Sequence, residues 1–481
     1  MLIAALYLVG FKFENTTAFG TEQHNYLINT VEQWKEKSPE YFSYCPVISY
    51  NEKGDANNFL FARLVDTSGY NYYVSYPPFT FIATYWLHTL GMPLNAMYFQ
   101  LIGLFFLICT VFFFTLVASY LFSLQGLDIA LFMMGISAIL FAFPVLIFKY
   151  TSYFFPELLG MFFTMLACSC TIMYLHTKKK WVLFISILLL AVACYTEWIG
   201  VLCCIVIFLL TFLPSSPFEK KWRFISFVIP LIACAATLLG YSKVNGLSAA
   251  VAAMAGRANE RTGIMALVGD KELFVFDSIA ERIPFATSVY WWIYAAFFII
   301  SFVFLFTKYS SKPLIVASLL LLLGTPVLHY FVFFDFSINH SYPITKILLP
   351  LSFIVALVPF VFQNKWIKFA YLLFFIPLCM VNLIKRNQQI NYSLAVPEQH
   401  LAWLTTIKNE ANLNEAIFLN YTALLPYEPQ RLYTHILNRN LGKCSSIENA
   451  IDKAKKINRT KLLYVEVDST QKIVTLKHIT L

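Results

Sequence analysis

Residues 178–213 read KKKWVLFISILLLAVACYTEWIGVLCCIVIFLLTFL. The apolar part, 181–213, is interrupted by charge once, at Tyr195-Thr196-Glu197-Trp198. It reads either as one crossing of a bilayer or as a hairpin of two short crossings. Basic residues decide between them, because short connections rich in Lys and Arg mark the cytoplasmic side. Such segments stand at Lys178-Lys179-Lys180, Glu219-Lys220-Lys221-Trp222-Arg223, Lys308 to Lys312 and Lys365 to Lys368. A single crossing would put the first two on opposite sides, whereas a hairpin turning at Glu197 puts them on one side. We read a hairpin.

Outward from it lie further apolar runs at 95–121, 128–147, 157–176, 223–241, 287–307, 313–332, 346–361 and 367–384. Runs of about 20 apolar residues match the hydrocarbon thickness of a membrane. Hydrophobic residues are 59% of the chain and charged ones 13%, against about 25% charged in soluble domains. The expected class is an all-α polytopic membrane protein with about eleven transmembrane helices. Parity then puts the N-terminus in the cytoplasm and the C-terminus outside. Met1 to Phe11 is apolar but short for a crossing, and it lacks the basic leader of a cleaved signal peptide. The net charge of +9 is dispersed among membrane connections and does not point to nucleic acid. The ten cysteines lack zinc-ligand spacing and read as small packing residues. Cys45 and Cys444, both placed outside the membrane, are the candidate disulfide pair.

An outer loop is expected at 13–75. Thr21 reads as a helix cap, and Tyr26, Leu27, Val31 and Trp34 follow at helical spacing, as in an amphipathic surface helix. Pro77-Pro78 suit the first turn of a helix, so 79–91 reads as a short interfacial helix before the crossing at 95–121. Further outer loops are expected at 242–286 and near 333–345. From about residue 390 the composition turns polar. Helical patterns at 397–410 and 446–456 and strand patterns at 416–419, 462–467 and 473–476 predict a small α/β extracytoplasmic domain. The domain expectation is a membrane module over 1–390 and this domain over 391–481.

Glu22 stands in the first turn of the loop helix. A carboxylate there suits a general base that draws a proton from an acceptor hydroxyl, although it also complements a helix dipole. Glu14 is the alternative acid in the same loop. Glu157 follows Phe154-Phe155-Pro156 at the start of a crossing, after Lys149, Tyr150 and Tyr153. Glu197 sits between two apolar arms, where a carboxylate is costly unless paired or facing a cavity. Arg257, Arg261, Lys149 and Lys346 are candidate phosphate partners, each with the plainer reading of a solvated or headgroup-facing charge. His340 is a candidate substrate-positioning residue. No phosphate-cradling glycine loop, Ser-His-Asp set or metal signature is present. No cofactor is called for, although an acidic pair would accept a divalent metal.

The layout of residues 1–390 resembles the GT-C superfamily of membrane glycosyltransferases, in the RgtA-type and dolichyl-phosphate-mannose mannosyltransferase-like group. The resemblance is carried by the acid early in the first outer loop (Glu22, with Glu14), by Tyr76-Pro77-Pro78 opening the next helix, and by Glu157 at the start of a later crossing. Where many members carry aspartate, this chain carries glutamate. The resemblance implies a transferase that takes sugar from a polyprenyl-phosphate-linked donor and passes it to a lipid, glycan or protein acceptor in an outward-facing cavity. Catalytic roles fall on Glu22, Glu157 and Glu14, and substrate binding on Tyr76, Lys149, Glu197, Arg257, Arg261, His340 and Lys346. The setting it implies is cell-envelope synthesis at a bacterial inner membrane. Two other readings remain open: an O-antigen-type polymerase or ligase, centred on Arg257, Arg261 and Arg282, and a non-enzymatic lipid or sugar transporter. Transporters often carry inverted repeats, and no internal repeat is visible here.

Overall fold

The computed structural model describes residues 22–49, 64–123, 156–262, 299–300, 303–304, 307, 312–333, 337, 346–347, 350–351, 354, 366, 369–370, 373, 398–412, 415–421, 441–456, 459–467 and 473–481. They belong to two compact units. The first comprises Met1–Lys12, Phe99–Thr237 and Ala258–Ile390; the second comprises Phe13–Tyr98, Leu238–Arg257 and Asn391–Leu481. In chain order the helices and strands are α1 (Glu22–Lys37), β1 (Leu64–Val65), β2 (Asn71–Tyr72), α2 (Phe79–Thr89), α3 (Ala96–Ser123), α4 (Pro156–Thr177), α5 (Lys180–Thr196) and α6 (Trp198–Leu210). They continue with α7 (Lys221–Thr262), α8 (Pro313–Val332), α9 (Glu398–Glu410), β3 (Ala416–Tyr421), β4 (Leu441–Lys443), α10 (Ile447–Lys456), β5 (Lys461–Val467) and β6 (Ile473–Thr480).

The first unit is a helical bundle in which α4, α5, α6 and α8 pack on one another. Small and hydroxylic residues let α4 and α5 approach closely: Thr171 and Ser186 share a 2.6 Å hydrogen bond. The thiols of Cys168 and Cys203 lie 3.5 Å apart across α4 and α6, which is the packing role expected of them. Phe106 of α3 meets Phe162 of α4 with ring centroids 5.0 Å apart. The opposite faces show apolar side chains: Phe105 and Phe112 on α3, Phe184 and Leu188 on α5, Leu209 on α6, and Phe224, Phe227 and Ile232 on α7 are exposed. In water such a belt would drive aggregation; in a bilayer it is the lipid-facing surface. Among the described residues α4, α7 and α8 are long and apolar enough to cross a membrane, and α5 and α6 are shorter apolar helices. The chain is a multi-pass integral membrane protein.

The hairpin read at 181–213 is present as α5 and α6, broken at Glu197. Its base is tied by polar contacts. Glu219 pairs with Lys178 at 3.0 Å and Lys221 at 2.8 Å and accepts from Tyr174 Oη at 3.1 Å. Lys221 also donates to Tyr174. The connections after α4 and after α6 therefore lie at one end of the bundle, as the basic residues required. These charges are half-exposed, and pairs of that kind contribute only about 0–1 kcal/mol each. Their value here is positional.

In the second unit α1 packs against α2, with Trp34 edge-on to Tyr85 at 5.8 Å. Tyr26, Leu27, Val31 and Trp34, the predicted apolar face, are all buried. Pro78 caps α2, its carbonyl accepting from Phe81 and Ile82, as the two prolines predicted. The crossing expected to end at 241 instead continues in α7 to Thr262, through a break at Asn245 and Gly246. Gly246 has φ +81°, a left-handed value that glycine adopts without strain. Beyond it the alanine-rich stretch 248–256 has the helix propensity to resume. The stretch read as outer loop thus begins as helix.

The C-terminal residues form a mixed sheet in the order β4-β3-β5-β6, with β4-β3 and β3-β5 parallel and β5-β6 antiparallel. β3 and β5 are near-continuous apolar runs because both faces are covered. Trp403, Leu404 and Ile407 of α9 cover one, and Ala450 and Ala454 of α10 cover the other. β4, read as no element from sequence, completes the edge. Cys45 and Cys444, the candidate pair, are both free thiols; both are buried, and burial pushes each thiol up to about 12.

Glu415, just before β3, accepts from the His478 ring at 2.8 Å. Burial raises its carboxyl, but the His478 bond and the Asn412 amide outweigh it and hold it below the usual 4.5. A carboxyl depressed by folding contributes stability above its unfolded value and loses it as pH falls through the folded one. Glu415→Gln is therefore expected to cost on the order of 1 kcal/mol at neutral pH. That difference should close below pH 4.5, read as the protection of β3 and β5 amides in variant against parent at each pH.

Candidate active site

The bundle end opposite the basic connections is built around Glu197. Its backbone is extended, with φ −159° and ψ 152°, and it closes two helices at once. Its N–H donates to Ala193 at 3.0 Å to end α5, and its carbonyl and Oε2 accept from Gly200 and Ile199, both at 3.1 Å, to start α6. So tight a turn needs glycine at 200, where a Cβ would stand 2.3 Å from the Ala193 carbonyl carbon. α5 has 17 residues and α6 has 13. At 1.5 Å per residue they reach about 26 and 20 Å from the basic end, short of a hydrocarbon layer of about 30 Å.

Glu197 is 1% exposed, and its Oε1 meets Lys346 Nζ at 3.0 Å and His329 Nε2 at 2.9 Å. Lys346 Nζ stands 3.1 Å from the same His329 nitrogen. Lys346 and His329 are each 1% exposed. Glu157, in the first turn of α4, has Lys346, Glu197 and Arg261 as charged neighbours, and Arg261 is itself buried. Two carboxylates and two cations thus gather around one imidazole. Gly160, one turn after Glu157, makes room: a Cβ there would lie 2.4 Å from the Glu197 Cβ. Gly160→Ala is expected to destabilise by about 1–3 kcal/mol through overpacking. Gly324→Ala in α8, whose Cβ would meet only Val206 at 3.6 Å, should be neutral or stabilising in the same thermal-unfolding comparison.

Four of the residues singled out from sequence, Glu157, Glu197, Arg261 and Lys346, therefore meet in the first unit. His329 joins them and was missed. The signal for it was the lone imidazole inside the apolar run 313–332, since an ionisable group in a crossing marks a site by default. In the second unit Glu22 begins α1. Tyr76 is buried beside Tyr73, and Tyr241 Oη donates to the Tyr73 carbonyl at 2.6 Å and the Tyr76 carbonyl at 3.4 Å. Arg257 Nε donates to Ser75 Oγ at 2.7 Å. The Tyr-Pro-Pro element is thus anchored from α7. Glu14, Lys149, Arg282 and His340 lie outside the described residues. Among the described residues no three His, Cys, Asp or Glu side chains gather as a metal set.

Two solved enzymes share this arrangement of the chain. The oligosaccharyltransferase AglB of Archaeoglobus fulgidus, solved with an inhibitory peptide and a dolichol-phosphate, superposes with a TM-score of 0.58 and 10% identity over 96% of this chain and 69% of its own. ArnT of Cupriavidus metallidurans, solved with undecaprenyl phosphate, superposes with a TM-score of 0.55 and 9% identity over 97% of this chain and 92% of its own. Both are GT-C membrane glycosyltransferases. The chain has the GT-C fold. No family model matches its sequence, and no curated protein does either, so at 9–10% identity the likeness is one of fold. The GT-C match runs across the membrane helices and into the C-terminal sheet.

Proposed function

We propose that this chain is a glycosyltransferase that moves a sugar from a polyprenyl-phosphate-linked donor to an acceptor hydroxyl on the outer face of the membrane, in the synthesis of a cell-envelope glycan or glycolipid. The observation that carries the reading is the GT-C match over 97% of this chain and 92% of ArnT, a structure solved with undecaprenyl phosphate. The proposed setting is a bacterial inner membrane, crossed about eleven times, with the N-terminus and basic connections in the cytoplasm and residues 391–481 outside.

In this reading Glu22 takes the proton of the acceptor hydroxyl, whose oxygen attacks the anomeric carbon. The bond from that carbon to the phosphate oxygen breaks, and the lipid phosphate leaves with the electron pair. Charge developing on it is offset by buried cations, a contribution often among the largest in such sites. Arg261, which is buried, is assigned this role, and Arg257 and Lys149 are further candidates for it. Lys346 is already paired with Glu197, so it is the weaker candidate for the same role. Glu157 orients the acceptor. The polymerase reading would rest on arginines alone, and the paired carboxylates among the cations favour the transferase.

The test is transfer of radiolabelled sugar by purified protein in lipid nanodiscs, offered a panel of undecaprenyl-phosphate sugars and extracted envelope lipids. Labelled acceptor from at least one donor is expected. Movement of intact donor across vesicles without any new glycosidic bond would replace the reading with transport.

A further inference from the structure

The Glu197–His329–Lys346 triangle cannot satisfy all three of its edges together. The 2.9 Å edge between Glu197 Oε1 and His329 Nε2 needs a proton on Nε2, because a carboxylate oxygen only accepts. The 3.1 Å edge between Lys346 Nζ and the same Nε2 needs that nitrogen bare, because an ammonium only donates. A neutral imidazole carries one proton, so each edge excludes the other. The imidazole therefore has two arrangements: Nε2–H donating to Glu197 with Nδ1 bare, or Lys346 donating to Nε2 with the proton on Nδ1. In both, Lys346 keeps its 3.0 Å bond to Glu197, and what changes is whether Glu197 or Lys346 bonds Nε2.

The other nitrogen is open. His329 is 1% exposed, and its Nδ1 has no hydrogen-bond partner among the described residues. A buried polar atom in that position costs free energy until a ligand or water meets it. Lys346, Glu197 and Arg261 act on His329, and Glu157 stands beside the same three groups; the two cations are the groups that would meet a negatively charged partner.

We propose that His329 is a tautomeric positioning residue: Nδ1 donates to a phosphate oxygen of the lipid donor, and Lys346 and Glu197 exchange the hold on Nε2 as it does so. This rests on the lipid-phosphate reading above. Without ligand, Nε2–H faces Glu197, the shorter edge. With phosphate present one proton leaves Nε2 and one arrives at Nδ1 through water, so the ring stays neutral and the protein's proton count is unchanged. Lys346 then closes the vacated edge. The triangle thus ties the presence of phosphate at Nδ1 to the fixed charges that hold α5, α6 and α8 together.

Ring-15N NMR of full-length protein labelled at histidine, in nanodiscs, reads the tautomer directly, with the His329→Gln spectrum identifying the resonance. Undecaprenyl phosphate is expected to move His329 from the Nε2–H to the Nδ1–H pattern, and inorganic phosphate to do so if the headgroup alone suffices. His329→Gln, whose amide reaches the Nε2 position, should keep the fold but bind undecaprenyl phosphate about tenfold more weakly, a loss of about 1.4 kcal/mol. His329→Asn, whose amide reaches the Nδ1 position, should lose less affinity and more thermal stability. Binding by the parent with an unchanged tautomer, or with His329→Gln equal to parent, overturns this inference and leaves the proposed function standing. A parent that binds no undecaprenyl phosphate overturns both.

Discussion

Glu22→Gln is expected to abolish measurable sugar transfer while leaving a folded, membrane-inserted protein. General base catalysis contributes about 10²–10⁴-fold, and the amide keeps the size and hydrogen-bonding reach of the carboxylate without accepting a proton. Glu22 opens α1, whose apolar face is buried through Tyr26, Leu27, Val31 and Trp34. Those contacts hold the helix. The loss should therefore fall on kcat with little change in thermal unfolding. Glu157→Gln should give a smaller loss, mostly in KM for the acceptor. Retention of parental kcat by Glu22→Gln would remove Glu22 as the base and leave Glu14 or Glu157 to be tested in its place.

The largest stability effect is expected at the buried ion pair. Glu197→Ala leaves Lys346 charged and buried without its 3.0 Å partner and removes the cap that accepts from Ile199. Breaking one side of a buried pair costs about 3–5 kcal/mol, and losing a cap adds about 1 kcal/mol. Lys346→Met alone should cost less, because Glu197 keeps its contacts with His329 and the α6 amide. The double variant Glu197→Gln with Lys346→Met should be more stable than Glu197→Ala by several kcal/mol, since no uncompensated charge remains. Unfolding of all three in one detergent or nanodisc preparation measures this. Equal destabilisation by every variant would mean that the pair contributes nothing beyond its volume.

The fold was legible where charge and period agreed. Basic segments at 178–180 and 219–223 favoured a hairpin with its turn at Glu197, and the structure ties those two segments together through Glu219. Pro77-Pro78 announced α2, and the strand and helix patterns beyond residue 390 announced the small C-terminal α/β sheet structure. What was not legible depended on tertiary context. The stretch from 242 was expected as outer loop, yet the alanines beyond the break at Asn245-Gly246 resume the helix. The three residues of β4 carry too little pattern to read alone and are defined by pairing with β3. At the site, Glu197 and Lys346 were each visible as charges in apolar surroundings, but their pairing across 149 positions, from 197 to 346, is a product of helix packing. His329 was hidden because its run is otherwise so apolar that it registered only as a crossing. Gly160 shows its purpose only once the Glu197 side chain lies against it.

In the proposed reaction a lipid phosphate is the leaving group. The most direct measurement follows both products of one reaction in nanodiscs, with 31P NMR for the lipid and a tritium label for the sugar. Undecaprenyl phosphate is expected in one-to-one stoichiometry and at equal rate with labelled acceptor in the parent, and neither product in Glu22→Gln. Labelled acceptor with the phosphate still joined to the sugar, or lipid turnover with no glycosidic product, would contradict it.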